Sequence, residues 1–189
     1  MSGPANDTAR EFADLLLQLG RAAYTDSAGG DLTAAQWAAL RYFGRANRFS
    51  RTVSGFASFH ATTRGTASQT IRSLVDRGYL DRSPSDRDGR SVLFALSDRA
   101  RRRLDQDPVE SLVRAARQLG EIRLSAVAGE LRQVGDFLGQ QRDDFATGRC
   151  EHCGHLAQAD GAYRCGLMDE PLAAAEIREI CVRYRPKES

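Results

Sequence analysis

Lysine is almost missing from this sequence. Of 27 basic residues only Lys187 is a lysine, and the rest are arginines. Cysteine is missing from the first 149 residues and then appears four times. Long apolar runs are missing too. Stretches such as Leu15 to Leu17 are far too short to span a bilayer, so no membrane partner is expected. The first ten residues show neither a basic n-region nor an apolar h-region, so no secretory leader is expected and the expected location is cytoplasmic. No nucleophile–base pair stands at a convincing spacing, and no glycine-rich phosphate loop is present. His60 is a lone histidine beside Phe59. These absences argue against an enzyme.

What is present is 189 residues, 41% hydrophobic and 28% charged. That is enough to bury a core without staples. The net charge of +2 hides an asymmetry. Between Arg41 and Arg103 there are fourteen arginines against five acids, and the remainder of the chain is net acidic. A basic middle between acidic ends suggests a polyanion partner for the middle.

Apolar periodicity outlines the elements. Phe12, Leu15, Leu16, Leu19 and Ala23 share one helical face from about Thr8 onward. Thr33 reads as the N-cap of a helix running from Ala34 to Phe43, with Trp37, Leu40 and Phe43 on one stripe. Ser50 or Thr52 opens the next helix, which contains Val53, Phe56 and Phe59. Residues 61–65 read as a turn, and Thr66 opens a helix from Ala67 to Arg77 that Gly78 stops. Two β-type segments follow, Tyr79 to Arg82 and Ser91 to Leu96, forming a hairpin with a charged tip. Ser97 and Asp98 cap another helix, and Pro108 breaks it. A single long helix is then expected from Val109 to about Arg142, roughly 50 Å in length. That is longer than a small core can cover, so it calls for a second chain.

Helix, helix, turn, helix and basic hairpin is the order of a winged helix-turn-helix. The third helix opens with short polar residues, as a helix end meeting base edges requires. Gln69 can pair bidentately with adenine, and Arg72 or Arg64 with guanine; Thr66, Ser68 and Thr70 can bond bases or phosphates. The hairpin tip holds Asp86, Arg87, Asp88, Gly89 and Arg90. Arg87 and Arg90 suit a narrow minor groove, where the potential is most negative.

Four stretches resemble the multiple antibiotic resistance regulator (MarR) family: Leu32 to Trp37, Ser68 to Leu80, Asp86 to Arg90, and Leu96 to Asp98. The resemblance spans about residues 10 to 142. It implies a homodimeric regulator whose first and last helices interleave, bound to double-stranded DNA at a pseudo-palindromic operator. It also implies the recognition helix in the major groove and the wing arginine in the minor groove. One departure is the stretch from Gly44 to Arg51, which is basic where the family usually has a short neutral turn. It reads as a source of extra phosphate contacts.

Residues 150 to 189 extend past the family pattern. Cys150 and Cys153 form a Cys-x2-Cys pair, and Cys165 and Cys181 follow singly. In an intracellular chain this clustering argues for metal ligation or redox chemistry rather than disulfides. Zinc modules usually carry a second short-spaced pair. Scattered single cysteines suit an iron–sulfur cluster, [4Fe-4S] or [2Fe-2S], with Zn2+ the alternative. His152 and His155 beside the first pair read as neighbours of the centre rather than ligands.

The expected architecture is therefore mainly α with a small β-hairpin wing. It divides into an N-terminal dimerisation helix (1–31), a winged helix-turn-helix (32–98), C-terminal dimerisation helices (99–145) and a four-cysteine module (146–189). The expected function is a DNA-binding regulator, read as a repressor, whose cluster senses redox or iron status. The alternative is a small-ligand-responsive repressor with structural zinc; Trp37, Tyr42 and Phe43 could line its pocket but read first as core.

Overall fold

The computed structural model describes residues 4–24, 30–85, 91–140, 148–159 and 161–187. Seven helices carry the first three quarters of the chain: α1 (Pro4–Ala22), α2 (Ala34–Arg45), α3 (Val53–Phe59), α4 (Arg64–Asp76), α5 (Asp98–Leu104), α6 (Glu110–Arg117) and α7 (Glu121–Gln140). Between α4 and α5 lies the antiparallel hairpin of β1 (Leu80–Pro84) and β2 (Val92–Leu96), in register from Leu80 opposite Leu96 to Pro84 opposite Val92.

Local chemistry sets the helix starts. Thr33 makes a full capping box: its hydroxyl accepts from Gln36 N–H, and the Gln36 side chain accepts from Thr33 N–H. Thr52 caps α3 and Ser97 caps α5 through the side-chain bond alone, accepting from the Gly55 and Ala100 N–H groups. Gly78, just after α4, takes the left-handed conformation at φ +70°.

Two expectations need correction. α4 begins at Arg64 rather than at Thr66, because Thr63 is the residue whose side chain accepts from the Thr66 N–H. Residues 64 and 65 are thus the first helical turn and not a loop. The single long helix after Pro108 does not form either. Gly120 sits at φ +74° and divides the stretch into α6 and α7, a conformation open to glycine and costly for other residues.

The larger buried cluster is built on α2 to α4, the hairpin and α5, and a smaller one around Cys150, Leu172 and Cys181 lies in the tail. Trp37, Leu40, Tyr42, Phe43, Phe56, Ile71 and Leu74 are all buried in the larger one. Trp37, Tyr42 and Phe43 are therefore core residues and do not line an open pocket. Asp31 pins this lobe from outside. Its carboxylate accepts from Tyr79 Oη at 2.8 Å and pairs with Arg77 and Arg103 at 3.0 Å each. The bond from Tyr79 holds Asp31 below the usual carboxylate range, with the two arginines adding to it.

The helices at either end present apolar side chains outward. On α1, Phe12, Leu15, Leu16, Leu17 and Leu19 are exposed; on α7, Ile122, Val127, Leu131, Val134, Phe137 and Leu138 are exposed. Among the described residues no helix is long and apolar enough to cross a membrane.

The tail folds into small antiparallel pieces. β3 (Gly148–Arg149) pairs with β7 (Ile180–Cys181), and β4 (Leu156–Ala159), β5 (Ala162–Cys165) and β6 (Glu170–Leu172) form a meander. Short 3-10 turns occupy Cys150–His152 and Glu176–Arg178. The tail docks on the winged-helix lobe: Ala46 bridges Ile180, and Asn47 N–H donates to the Ile180 carbonyl at 2.9 Å.

Candidate nucleic-acid interface and cysteine pocket

The buried stripe of α4 is Ala67, Ile71 and Leu74. Helical geometry then turns the intervening positions outward. Arg64, Thr66, Ser68, Gln69 and Arg72 are exposed, and Thr70 is half-buried. The structure thus places all six of these predicted residues on the accessible side of one helix. Thr66 Oγ1 lies 2.8 Å from Thr63 Oγ1, and Thr70 Oγ1 donates to the Thr66 carbonyl at 3.1 Å. Those hydroxyls are oriented by the helix itself, while the long side chains of Gln69 and Arg72 project. Arg64 and Arg72 have no ion-pair partner among the described residues, and Arg64 adds its charge to the positive end of the helix. α4 is fixed to α2 by Gln36 Nε2, which donates to Ser73 Oγ at 3.0 Å. Arg87 and Arg90 lie outside the described residues, between β1 and β2 in the sequence.

Several other arginines of the basic middle serve the fold. Arg41 pairs with Asp107 at 2.8 Å and also bonds Tyr24 Oη. Arg99 donates to the Arg77 carbonyl at 2.9 Å and covers the Tyr79 ring, with its guanidinium carbon 4.5 Å from the centroid. Arg103 lies over Trp37. Charge counting could not separate these from DNA-facing arginines.

The basic loop from Gly44 to Arg51 also departs from its expected role. Arg48 pairs with Glu176 at 2.6 Å and donates to the Pro171 carbonyl at 2.7 Å. Arg51 lies 3.8 Å from Glu179. Both guanidiniums are turned to glutamates of the tail and not outward to phosphates. The loop meets individual carboxylates of the tail, Glu176 and Glu179.

The four cysteines come together. Cys150, Cys153, Cys165 and Cys181 all line one small cavity of about 10 Å³, shared with His155, Asn47 and the apolar Phe49, Leu156, Met168 and Leu172. Cys150, Cys153 and Cys181 are buried and Cys165 is partly so; all four are free thiols. Local folding explains the convergence. Cys153 N–H donates to the Cys150 carbonyl, closing the Cys-x2-Cys turn. The hairpin register sets Leu156 opposite Cys165, and β7 sets Cys181 opposite Gly148. Among the described residues no three histidine, cysteine or acidic side chains already stand in metal-ligating geometry; the sulfurs surround a space rather than a point.

The thiols differ electrically. The Cys150 thiol, hydrogen-bonded to Cys181 and buried, is raised well above its ordinary range. Cys181 receives that bond and is lowered to about 6, with help from the Arg183 N–H at 3.4 Å. His155 faces the cavity, whereas His152 is exposed beside Glu151 at 3.6 Å. Sequence reading missed Asn47, which donates to Cys150 Sγ at 3.8 Å from a position 103 residues earlier.

A second cavity, about 460 Å³, lies between α2, β2, α5 and α6. Arg41, Arg45, Leu96, Leu104, Asp107 and Val113 line it.

Residues 30–91 match the model of the MarR family. No curated protein matches the sequence. Solved structures do. The regulator BpsR of Bordetella bronchiseptica, described with regulation of its DNA binding by 6-hydroxynicotinic acid, is 18% identical with a TM-score of 0.56, covering 72% of this chain and 98% of its own. The transcriptional repressor CouR, solved on a 23-mer DNA duplex, is 20% identical with a TM-score of 0.52, covering 70% and 92%. MarR of E. coli is 20% identical with a TM-score of 0.50, covering 67% and 95%. The cysteines lie beyond the residues the family model covers. Residues 30–91 are thus similar to the MarR family, and the mainly helical fold with a hairpin wing is the fold of the solved regulators it resembles.

Proposed function

We propose that this chain is a transcriptional regulator that binds a pseudo-palindromic duplex operator as a homodimer. We propose further that its four cysteines hold an iron–sulfur cluster through which redox or iron status alters DNA binding. The DNA-binding part rests on α4, which turns Arg64, Thr66, Ser68, Gln69 and Arg72 outward while its inward side is locked in the core. Half-sites one DNA turn apart, about 34 Å, require two copies held at fixed spacing. The uncovered apolar sides of α1 and α7 supply a surface for that pairing.

The single observation that carries the cluster reading is the convergence of all four cysteines on one largely apolar cavity. Thiolate ligands within a mostly apolar surround suit an iron–sulfur centre, whose potential depends on solvent exclusion and on N–H···S bonds. Differential stability of two dimer geometries would then translate cluster state into affinity.

A second reading has observations of its own. The cysteine cavity is small enough for a single ion, and the larger cleft between α2, β2, α5 and α6 has room for a small molecule. In that reading the tail holds structural zinc and the signal is a small molecule.

One preparation separates the two. Anaerobically purified protein that is brown, absorbs near 400 nm and contains iron and sulfide supports the cluster. Colourless protein with one zinc per chain supports the second reading. Metal-free protein that still binds DNA overturns both accounts of the tail.

A further inference from the structure

The cysteine pocket is built against the loop between α2 and α3, and two polar side chains are buried to make that junction. Asn47 is 1% exposed and Ser50 is 0% exposed. Asn47 Nδ2 donates to Cys150 Sγ at 3.8 Å, and Asn47 Oδ1 accepts from Ser50 Oγ at 2.7 Å. Ser50 Oγ in turn accepts from the N–H of Val182, beside Cys181, at 3.1 Å. Two of the four cysteines are therefore joined to one Asn–Ser pair. Burying such groups costs free energy unless every one is bonded, and here the tail supplies the partners.

The other side of Ser50 faces the DNA-binding helices. Its carbonyl accepts from Tyr42 Oη, on α2, at 2.6 Å. A Cβ at Gly55, on α3, would run into that same carbonyl oxygen, so α3 packs backbone to backbone on Ser50. α3 in turn packs on α4. A continuous set of contacts runs from Cys150 through Asn47 and Ser50 to the joint of α2 and α3, and from there to the recognition helix.

We infer that Asn47 and Ser50 couple occupancy of the cysteine site to the placement of α3 and α4. This inference rests on the reading that the cysteines hold a metal centre. The physical argument concerns one distance. The Asn47–Cys150 contact is long at 3.8 Å while the sulfurs surround an open space. Ligation draws the four sulfurs toward a common centre and moves Cys150 Sγ relative to Asn47. The side chain is confined on all sides, so it follows, and Ser50 follows it. Hydrogen bonds to a metal-bound sulfur are the ordinary route by which a protein senses and tunes such a centre. Asn47 and Ser50 are positioning residues in this scheme and touch neither metal nor DNA.

The test uses the full-length chain with Asn47→Leu and Ser50→Ala, all purified anaerobically, with iron, zinc and sulfide measured on each sample. Binding is measured to a duplex enriched from a random-sequence pool by the wild-type protein, before and after chelation of the metal. Wild type is expected to change affinity about fivefold or more on metal loss, the range of ordinary allosteric coupling. Both variants should retain the metal and a cooperative unfolding transition, and the change should shrink to less than about twofold. If one variant does not fold, the other carries the comparison. Variants that respond as fully as wild type overturn the coupling and leave the metal centre standing. Variants that lose the metal overturn it too, because Asn47 and Ser50 would then be part of the site. A wild type that holds metal but binds DNA equally without it overturns both coupling and sensing. A wild type that takes up no metal removes the coupling together with the reading beneath it.

Discussion

Arg48 and Glu176 are 128 residues apart in the chain, and their charged groups lie 2.6 Å apart in the fold. Arg48 is 41% exposed and Glu176 only 18%, so the pair sits at the seam between loop and tail. A partly shielded pair of this kind is worth about 1 kcal/mol. Arg48→Ala should loosen the tail and speed proteolysis between residues 148 and 187. It should leave the dependence of DNA binding on salt unchanged. A phosphate contact behaves differently, since its removal lowers the salt slope by about one. Titration of binding from low to high salt distinguishes the two.

The outward residues of α4 give an opposite pattern. Gln69→Ala and Arg72→Ala should each weaken binding to the selected duplex by about 1–3 kcal/mol and relax preference at one base position. Folding should be unaffected, because both side chains are exposed. Competition between the selected duplex and single-base variants measures this. Equal weakening on every sequence would make these residues backbone contacts.

Dimerisation through the terminal helices predicts a charge-sensitive mass. Leu16 and Leu131 are 41% and 37% exposed within one chain, a poor use of leucine unless a second copy covers them. Leu16→Glu or Leu131→Glu should halve the mass seen by light scattering and abolish high-affinity operator binding. Retention of the dimer in both variants would place the interface elsewhere.

His60 makes stability depend on acid. It packs edge-on or tilted against Phe56 and Phe59, with ring centroids 4.7 and 4.9 Å away. Burial, and then the charge of Arg41, push its pKa down to about 4 from an ordinary 6.5. The unfolded chain therefore takes up a proton as pH falls through about 6.5, while the folded chain resists until about 4. Stability from the neutral ring is complete above the higher value and is lost on the way down to the lower one. Between pH 7 and 5 the loss should be about 1 kcal/mol after allowance for partial exposure. His60→Leu should flatten the thermal midpoint over that range by a corresponding amount. Parallel curves for variant and wild type would exclude the histidine as the cause.

The legible parts of the fold are those that local chemistry writes. Thr33, Thr52 and Ser97 are capping residues by type and position, and each caps. The Ile71 and Leu74 spacing located the inward side of α4, and so the outward one. Where two local signals competed, reading went astray. Thr63 and Thr66 can both cap, and only the bond from the Thr66 N–H to Thr63 Oγ1 decides between them. Gly120 could sit inside a helix at modest cost, so periodicity ran across it. The role of Arg48 and Arg51 was beyond local reading altogether, since their partners lie in the tail. The same distance in sequence hid Asn47, an ordinary loop residue until Cys150 is brought beside it.

The docking of the tail also bears on how this chain can be cut. Asn47 and Ser50 are buried where the tail docks, with Cys150 and Val182 supplying two of their bonds. Ending the chain after α7 would not yield a minimal regulator that merely lacks an accessory. It would open two buried polar side chains to solvent at the joint of α2 and α3 and strip Arg48 and Arg51 of their counter-charges. The tail acts as a supporting wall of the winged-helix lobe, so shortened versions report on a damaged scaffold rather than on an intact domain without an accessory.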